Sequence, residues 1–207
     1  MHADFSYASF ARTTKNPAQY LERLRTFVLK KTGNRLKVLR VGNEFMENKS
    51  VHSWADQPDV NVTLLPAIPH EHDRITKVKP LHRTLQDMVN KSLHGKPHLG
   101  SKYWEKSYRH CIDLYNIRPR DSLAGKSPYF LYYNRPYNFK INPIFPFGSV
   151  VMGHIPLDSQ TAMSGRADEM FFEGVAHDYN NGIKLYNPVS KQTVLDILML
   201  LWILKNL

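Results

Sequence analysis

The sequence predicts an α/β domain followed by a small β-rich segment, and three observations carry that prediction. Apolar, branched runs at Leu36 to Val41 and Val60 to Leu65 alternate with helical spacing between Asn16 and Leu93, the alternation expected of an α/β layer. After Pro146 the texture changes to short β-like runs separated by Gly, Asn, Pro and Asp, the signature of strands joined by tight turns. The chain has 207 residues and 42% hydrophobic content. That suits one domain of ordinary size, or a core with a small appendage, and excludes global disorder.

In chain order, Tyr7 to Ala11 reads as a strand. Asn16 offers a helix N-cap and Pro17 the first helical position. Tyr20, Leu21, Leu24, Phe27 and Val28 follow at helical spacing, and Gly33 supplies the stop. Leu36 to Val41 reads as a buried strand. Val60 to Leu65 reads as another, closed by Pro66 and Pro69.

From Thr76 to Leu93 the pattern is helical, with Leu81, Leu85, Met88 and Ser92 on one stripe. Lys79, Arg83, Gln86 and Asn90 fall on another, and Pro80 fits the first turn. A second helix presents Trp104, Tyr108, Cys111, Ile112 and Tyr115 as its apolar face. Ser127 and Pro128 start a short third one. Strands are then expected at Val150 to Ile155, Met170 to Ala176 and Ile183 to Tyr186, with Asn180-Asn181-Gly182 as a hairpin turn. The domain boundaries this implies are 1–141 for the α/β part, 142–194 for the β-rich segment and 195–207 for an apolar tail.

Twenty-eight Lys and Arg against 18 Asp and Glu give a net charge of +10, and the pI is about 9.6. Such an excess suits an anionic partner, nucleic acid above all; a solvated basic surface accounts for it equally well. The single cysteine, Cys111, excludes an internal disulfide and fits a reducing compartment. Its place on an apolar helical face reads as a buried structural thiol.

The N-terminus, MHADFSYASF, lacks the basic region and apolar core of a signal peptide, so an intracellular location, nuclear or cytoplasmic, is expected. The continuous apolar run Ile197 to Leu204 is shorter than the roughly 20 residues that span a bilayer, and no membrane partner is expected. It reads either as a buried terminal helix or as an appended tail.

Several segments resemble the integrase of copia-type LTR retrotransposons. KVLRVGNEF, from Lys37 to Phe45, is similar to the pattern K-x-L-R-S-D-N-G-x-E-F, and RITKVKPLHRTLQDM, from Arg74 to Met88, resembles G-V-A-E-R-x-N-R-T-L-x-x-M. GKSPYFLYYNRP, from Gly125 to Pro136, resembles G-K-T-P-Y-E-L-x-x-x-K-P, and Pro146 to Ser149 matches the x-F-G-C turn. Arg166 to Val194 resembles the segment around I-F-L-G-Y and Y-R-L-Y-D-P, and DFSYASFARTTKN resembles D-D-F-S-R-Y. These motifs stand in the family's order and cover nearly all of residues 4 to 194.

The resemblance implies a ribonuclease-H-like mixed sheet with flanking helices, truncated at its first strand. That strand carries the family's first catalytic Asp, which is expected to lie outside this chain, as is the zinc-binding module before it. In the active family, the Asp of the first motif and the Glu of the second bind catalytic Mg²⁺. Here Gly42 stands for the Asp, in a motif two residues short, and Lys79 stands for the Glu.

Two-metal strand transfer holds its Mg²⁺ ions about 4 Å apart, and Mg²⁺ demands hard oxygen ligands in near-octahedral geometry. Gly42 offers no side-chain ligand, and the Lys79 ammonium repels the cation that a carboxylate would hold. A catalytically inactive, degenerate core is therefore expected, without a cofactor. Glu44 and Asp73 are the substitute acids that a register shift would have to recruit.

The loop His70-Glu71-His72 has ligand-type residues but no Cys pair or spaced third His, and no Gly-rich phosphate loop or serine-elbow motif is present. Non-specific DNA binding is expected to outlast catalysis, through Lys79 and Arg83 aided by Lys77, His82 and Lys91; a solvated helix face is the competing reading. Self-association, or recruitment of a protein partner by the basic core or the tail, is the remaining expectation.

Overall fold

Pro17 and Gly33 bound the first helix, α1 (Pro17–Thr32), as their chemistry demands. Gly33 adopts the left-handed conformation (φ 72°), and its N–H closes the helix by donating to Leu29 O at 2.9 Å. Asn16 precedes the helix without a side-chain capping bond. The computed structural model describes residues 4–10, 16–66, 78–96, 99–154, 167–176 and 182–197. Its compact units are Tyr7–Arg83 on one side, and Met1–Ser6 with Thr84–Leu207 on the other.

In the Tyr7–Arg83 unit, α1 is followed by β1 (Val38–Val41), α2 (Asn43–Met46), α3 (Lys49–Ala55) and β2 (Thr63–Pro66). The two strands pair in parallel, from Val38 opposite Thr63 to Val41 opposite Pro66. A parallel pair needs a crossover, and α2 and α3 supply it. Asn48 caps α3, its Oδ1 accepting from Ser50 N–H at 2.9 Å. The core gathers Leu21 of α1, Val51, Trp54 and Ala55 of α3, and Val60 and Val62 before β2.

Glu22 ties this core to its rim. Its carboxylate accepts from Arg25 Nη2 at 2.7 Å and from the buried Trp54 Nε1–H at 2.9 Å.

Three expectations change here. Tyr7 to Phe10 form no strand; instead Tyr7 stacks on Phe27 of α1, ring centroids 4.4 Å apart. β1 is not fully buried, because with a single neighbouring strand it exposes Val38 at 52%. β2 begins at Thr63 rather than Val60. Val60 and Asn61 close a turn whose N–H groups donate to Gln57 O at 2.9 and 2.8 Å.

α4 (Val78–His94) crosses the boundary between the units at Arg83/Thr84. The second unit continues with α5 (Trp104–Ile117), α6 (Pro128–Tyr133) and an antiparallel sheet of order β3-β4-β5-β6, comprising Val150–His154, Ala167–Val175, Gly182–Asn187 and Gln192–Ile197. Ser127 caps α6, its Oγ accepting from Phe130 N–H at 3.1 Å, with Pro128 in the first turn. Val151, Met170, Phe172, Val175, Ile183 and Leu185 form the sheet's core, with Phe172 and Leu185 fully buried.

Gly148 turns the chain into β3 at φ 71°. A Cβ there would sit 2.5 Å from Leu99 Cδ1 and displace that side chain, on a backbone conformation that itself favours glycine. The N-terminal segment is held to α5 at two points: Ser6 N–H donates to Asn116 Oδ1 (2.8 Å) and Asn116 Nδ2 donates to Ser6 O (2.7 Å).

The apolar face expected for α5 is displaced. Trp104 is 51% exposed, and the buried side carries Ser107, His110, Cys111, Ile112, Asn116 and Ile117. Polar residues take part in that face, which is why hydrophobic spacing misplaced it. Cys111 is buried as expected, and burial pushes its thiol up to about 11.

β6 is a further correction. Residues 192–197 pair along β5, from Gly182 opposite Ile197 to Asn187 opposite Gln192, so the sheet extends past the tail boundary drawn at 195. The described residues form a mixed α/β structure with one parallel strand pair and one four-stranded antiparallel sheet. The hairpin turn at 180 and 181, the His70-Glu71-His72 loop and the apolar run from 198 onward lie outside the described residues.

Candidate nucleic-acid interface

β1 ends at the buried Val41, and Gly42 follows at once, exposed, with extended backbone (φ −69°, ψ 164°). Its carbonyl starts α2 by accepting from Phe45 N–H at 3.0 Å and Met46 N–H at 3.1 Å. The carboxyl end of a parallel strand is where α/β sheets place their ligand-binding groups. Gly42 occupies such a position with no side chain to offer. A Cβ added there would meet no atom within 4 Å beyond its chain neighbours, so the space for a larger residue is open. Glu44 is exposed in the first turn of α2.

The second of the resembling segments, Arg74 to Met88, falls largely on α4. Leu85 and Val89 are buried and Leu81, Met88 and Ser92 half-buried, the stripe that the spacing predicts with Val89 added. Pro80 is the third residue of the helix, inside its first turn. On the outer side His82, Arg83, Gln86, Asn90 and Lys91 are all exposed. Residues three and four apart share a helix face, so Lys79, Arg83, Gln86 and Asn90 follow one line, with His82 beside it.

That line continues to His94, which the sequence reading passed over although it stands four residues after Asn90. Its Nδ1 lies 3.2 Å from Asn90 O. Asp87, the helix's one acid, is exposed as well and tempers the charge of Lys79, Arg83 and Lys91.

The helix therefore assembles His82, Arg83 and Lys91 as exposed groups. Lys77 and Asp73 lie outside the described residues, as does the side chain of Lys79. The donor set fits Mg²⁺ poorly. The aligned positions supply a glycine and an ammonium, where the ion requires carboxylate oxygen. Among the described residues no group of three or more His, Cys, Asp or Glu side chains is arranged to hold a metal ion. No helix among them is long and apolar enough to cross a membrane.

Compared with known proteins, the sequence matches no protein-family profile and no curated protein. Among solved structures it is similar to a chain of the simian T-cell lymphotropic virus intasome in complex with the PP2A regulatory subunit B56 gamma. The identity is 11% and the TM-score 0.47, over 93% of this chain and 65% of that one. This chain thus spans less than two thirds of that chain's length. At this level the likeness assigns no activity.

Proposed function

We propose that this chain is a non-catalytic protein of integrase descent that binds duplex DNA without reading its sequence, through the exposed polar face of α4. The observation that carries the reading is the chemistry of the two aligned positions. Gly42 presents open space and no ligand at the end of β1, and Lys79 brings a positive charge to the place of a carboxylate. The motif order from residue 4 to residue 194 supports the descent. The exposed His82, Arg83 and Lys91 support the binding.

Basic groups at helical spacing suit phosphate contacts, which position DNA and carry no base information. A nuclear or cytoplasmic location and self-association accompany the same descent.

Titration with duplex DNA across a salt series tests the proposal. Binding should appear at low salt and weaken steeply as salt rises, with a logarithmic slope of about 0.9 per phosphate contact. Replacing both Lys79 and Arg83 by Ala should flatten that slope by about 1.8, two contacts' worth. An absence of binding at low salt, or a slope unchanged in the double variant, would rule the proposal out.

A further inference from the structure

We propose a second nucleic-acid surface, distinct from α4, that takes single-stranded nucleic acid by stacking an unpaired base on Phe139. Phe139 is 60% exposed, yet it is held firmly. Asn138 Oδ1 accepts from the N–H groups of Lys140 (3.0 Å) and Ile141 (3.2 Å), and Asn138 O accepts from Asn142 N–H at 2.9 Å. Beneath it lies the buried Tyr137, its ring centroid 5.0 Å from that of Phe139, and Tyr137 rests in turn on Tyr129 of α6 at 5.1 Å. An aromatic ring fixed by a turn and left in water is already ordered for stacking.

The chain on either side of it is basic, and the acid that acts on the Tyr137 hydroxyl is Asp113 of α5. From Ser122 to Leu157 the sequence contains no Asp or Glu. Arg135 and Lys140 flank the ring in sequence, and both are exposed. At the other end of α6 a backbone bridge runs from Arg120 N–H to Lys126 O (3.2 Å); Arg118, Asp121 and Lys126 are exposed there, and Lys126 Nζ lies 5.3 Å from the Phe130 ring centroid. Arg120 itself is committed to Tyr115, donating to its hydroxyl (2.8 Å) and carbonyl (2.9 Å) with the guanidinium 3.5 Å from the ring centroid.

Arg135 and Lys140, exposed and within four positions of an exposed ring, match a partner carrying phosphates and an accessible base face. Duplex bases are already stacked, so the partner is single-stranded. Single-stranded DNA and RNA share this chemistry.

Fluorescence anisotropy of the whole chain with labelled oligo-dT and oligo-rU of about 12 nucleotides, a size within known single-strand footprints, tests the proposal. A duplex and an oligoglutamate peptide complete the set, and the two single strands tell DNA from RNA. Phe139→Leu keeps an apolar side chain and removes the ring, so single-strand affinity should fall about tenfold while duplex binding holds.

Arg135→Ala with Lys140→Ala should flatten the single-strand salt slope by about 1.4. In an Arg83→Ala background Phe139→Leu should still cost about tenfold in single-strand affinity, which separates this surface from α4. Single-strand affinity unaltered by Phe139→Leu in either background, or equalled by the peptide, would overturn the proposal.

Discussion

The two units of this chain divide burial unequally. In Tyr7–Arg83, β1 has one strand neighbour among the described residues, exposes Val38 at 52% and is followed by the exposed Gly42. In the other unit, Met170, Phe172, Ile183 and Leu185 are 0–1% exposed within a four-stranded sheet.

The sheet also buries a carboxylate with full satisfaction. Glu173 accepts from Lys106 and from Thr193 Oγ1–H (2.9 Å), while Lys106 Nζ lies 4.7 Å from the Tyr186 ring centroid. Gly42 is thus an exposed position outside both hydrophobic cores, and a substitution there leaves the buried clusters untouched.

The largest expected effect contrasts the cores. Phe172→Ala empties a fully buried site, and such truncations cost about 3–5 kcal/mol. Leu39→Ala, at a half-buried position of β1, should cost only about 1 kcal/mol, since part of its apolar area stays wet in the native protein. Denaturant unfolding of the two variants measures the contrast, and equal losses would remove it.

Acid should separate the units by pH window, with smaller effects. His110 lies buried against Phe147 and Phe172, and neither ring nitrogen has a hydrogen-bond partner among the described residues. Burial pushes its pKa below the ordinary value of 6.5, with Asp113 opposing. The folded state therefore disfavours the proton that the unfolded chain accepts. Its stability is complete above pH 6.5 and falls as pH drops below, by at most about 1.4 kcal/mol per pH unit. His110→Leu should remove that slope in unfolding curves taken from pH 7.5 to 5.

Glu22 acts lower. Arg25, Trp54 and Thr26 hold its pKa down at about 2, against an ordinary 4.5. Its contribution is present above pH 4.5 and is lost as pH falls toward 2. The carboxylate is partly exposed, so the stabilisation is well under about 1 kcal/mol.

Much of this architecture was legible in the sequence, for local reasons. Pro17 and Gly33 bracket α1, Ser127 and Pro128 start α6, and the α4 stripe follows from spacing alone, because capping and periodicity are short-range signals. β6 was hidden because Thr193, Val194 and Leu195 are separated from the apolar run at Ile197 by Asp196 alone, so the strand merged with the apparent tail. The buried face of α5 was misread because Ser107, His110 and Asn116 lie on it. Asn116 is there to bind the backbone of Ser6, 110 positions away in the chain, which no local pattern encodes. At the candidate site, spacing marked the polar line of α4, whereas the exposure of His82, Arg83 and Lys91 came only with the fold.

Binding and cleavage of one labelled duplex, followed in Mg²⁺, in Mn²⁺ and in EDTA, test the central claim most directly. Affinity should be equal at matched ionic strength in all three, with the duplex intact throughout. Metal-dependent nicking or strand transfer that Glu44→Gln abolishes would contradict it, and would restore a working metal site to the end of β1.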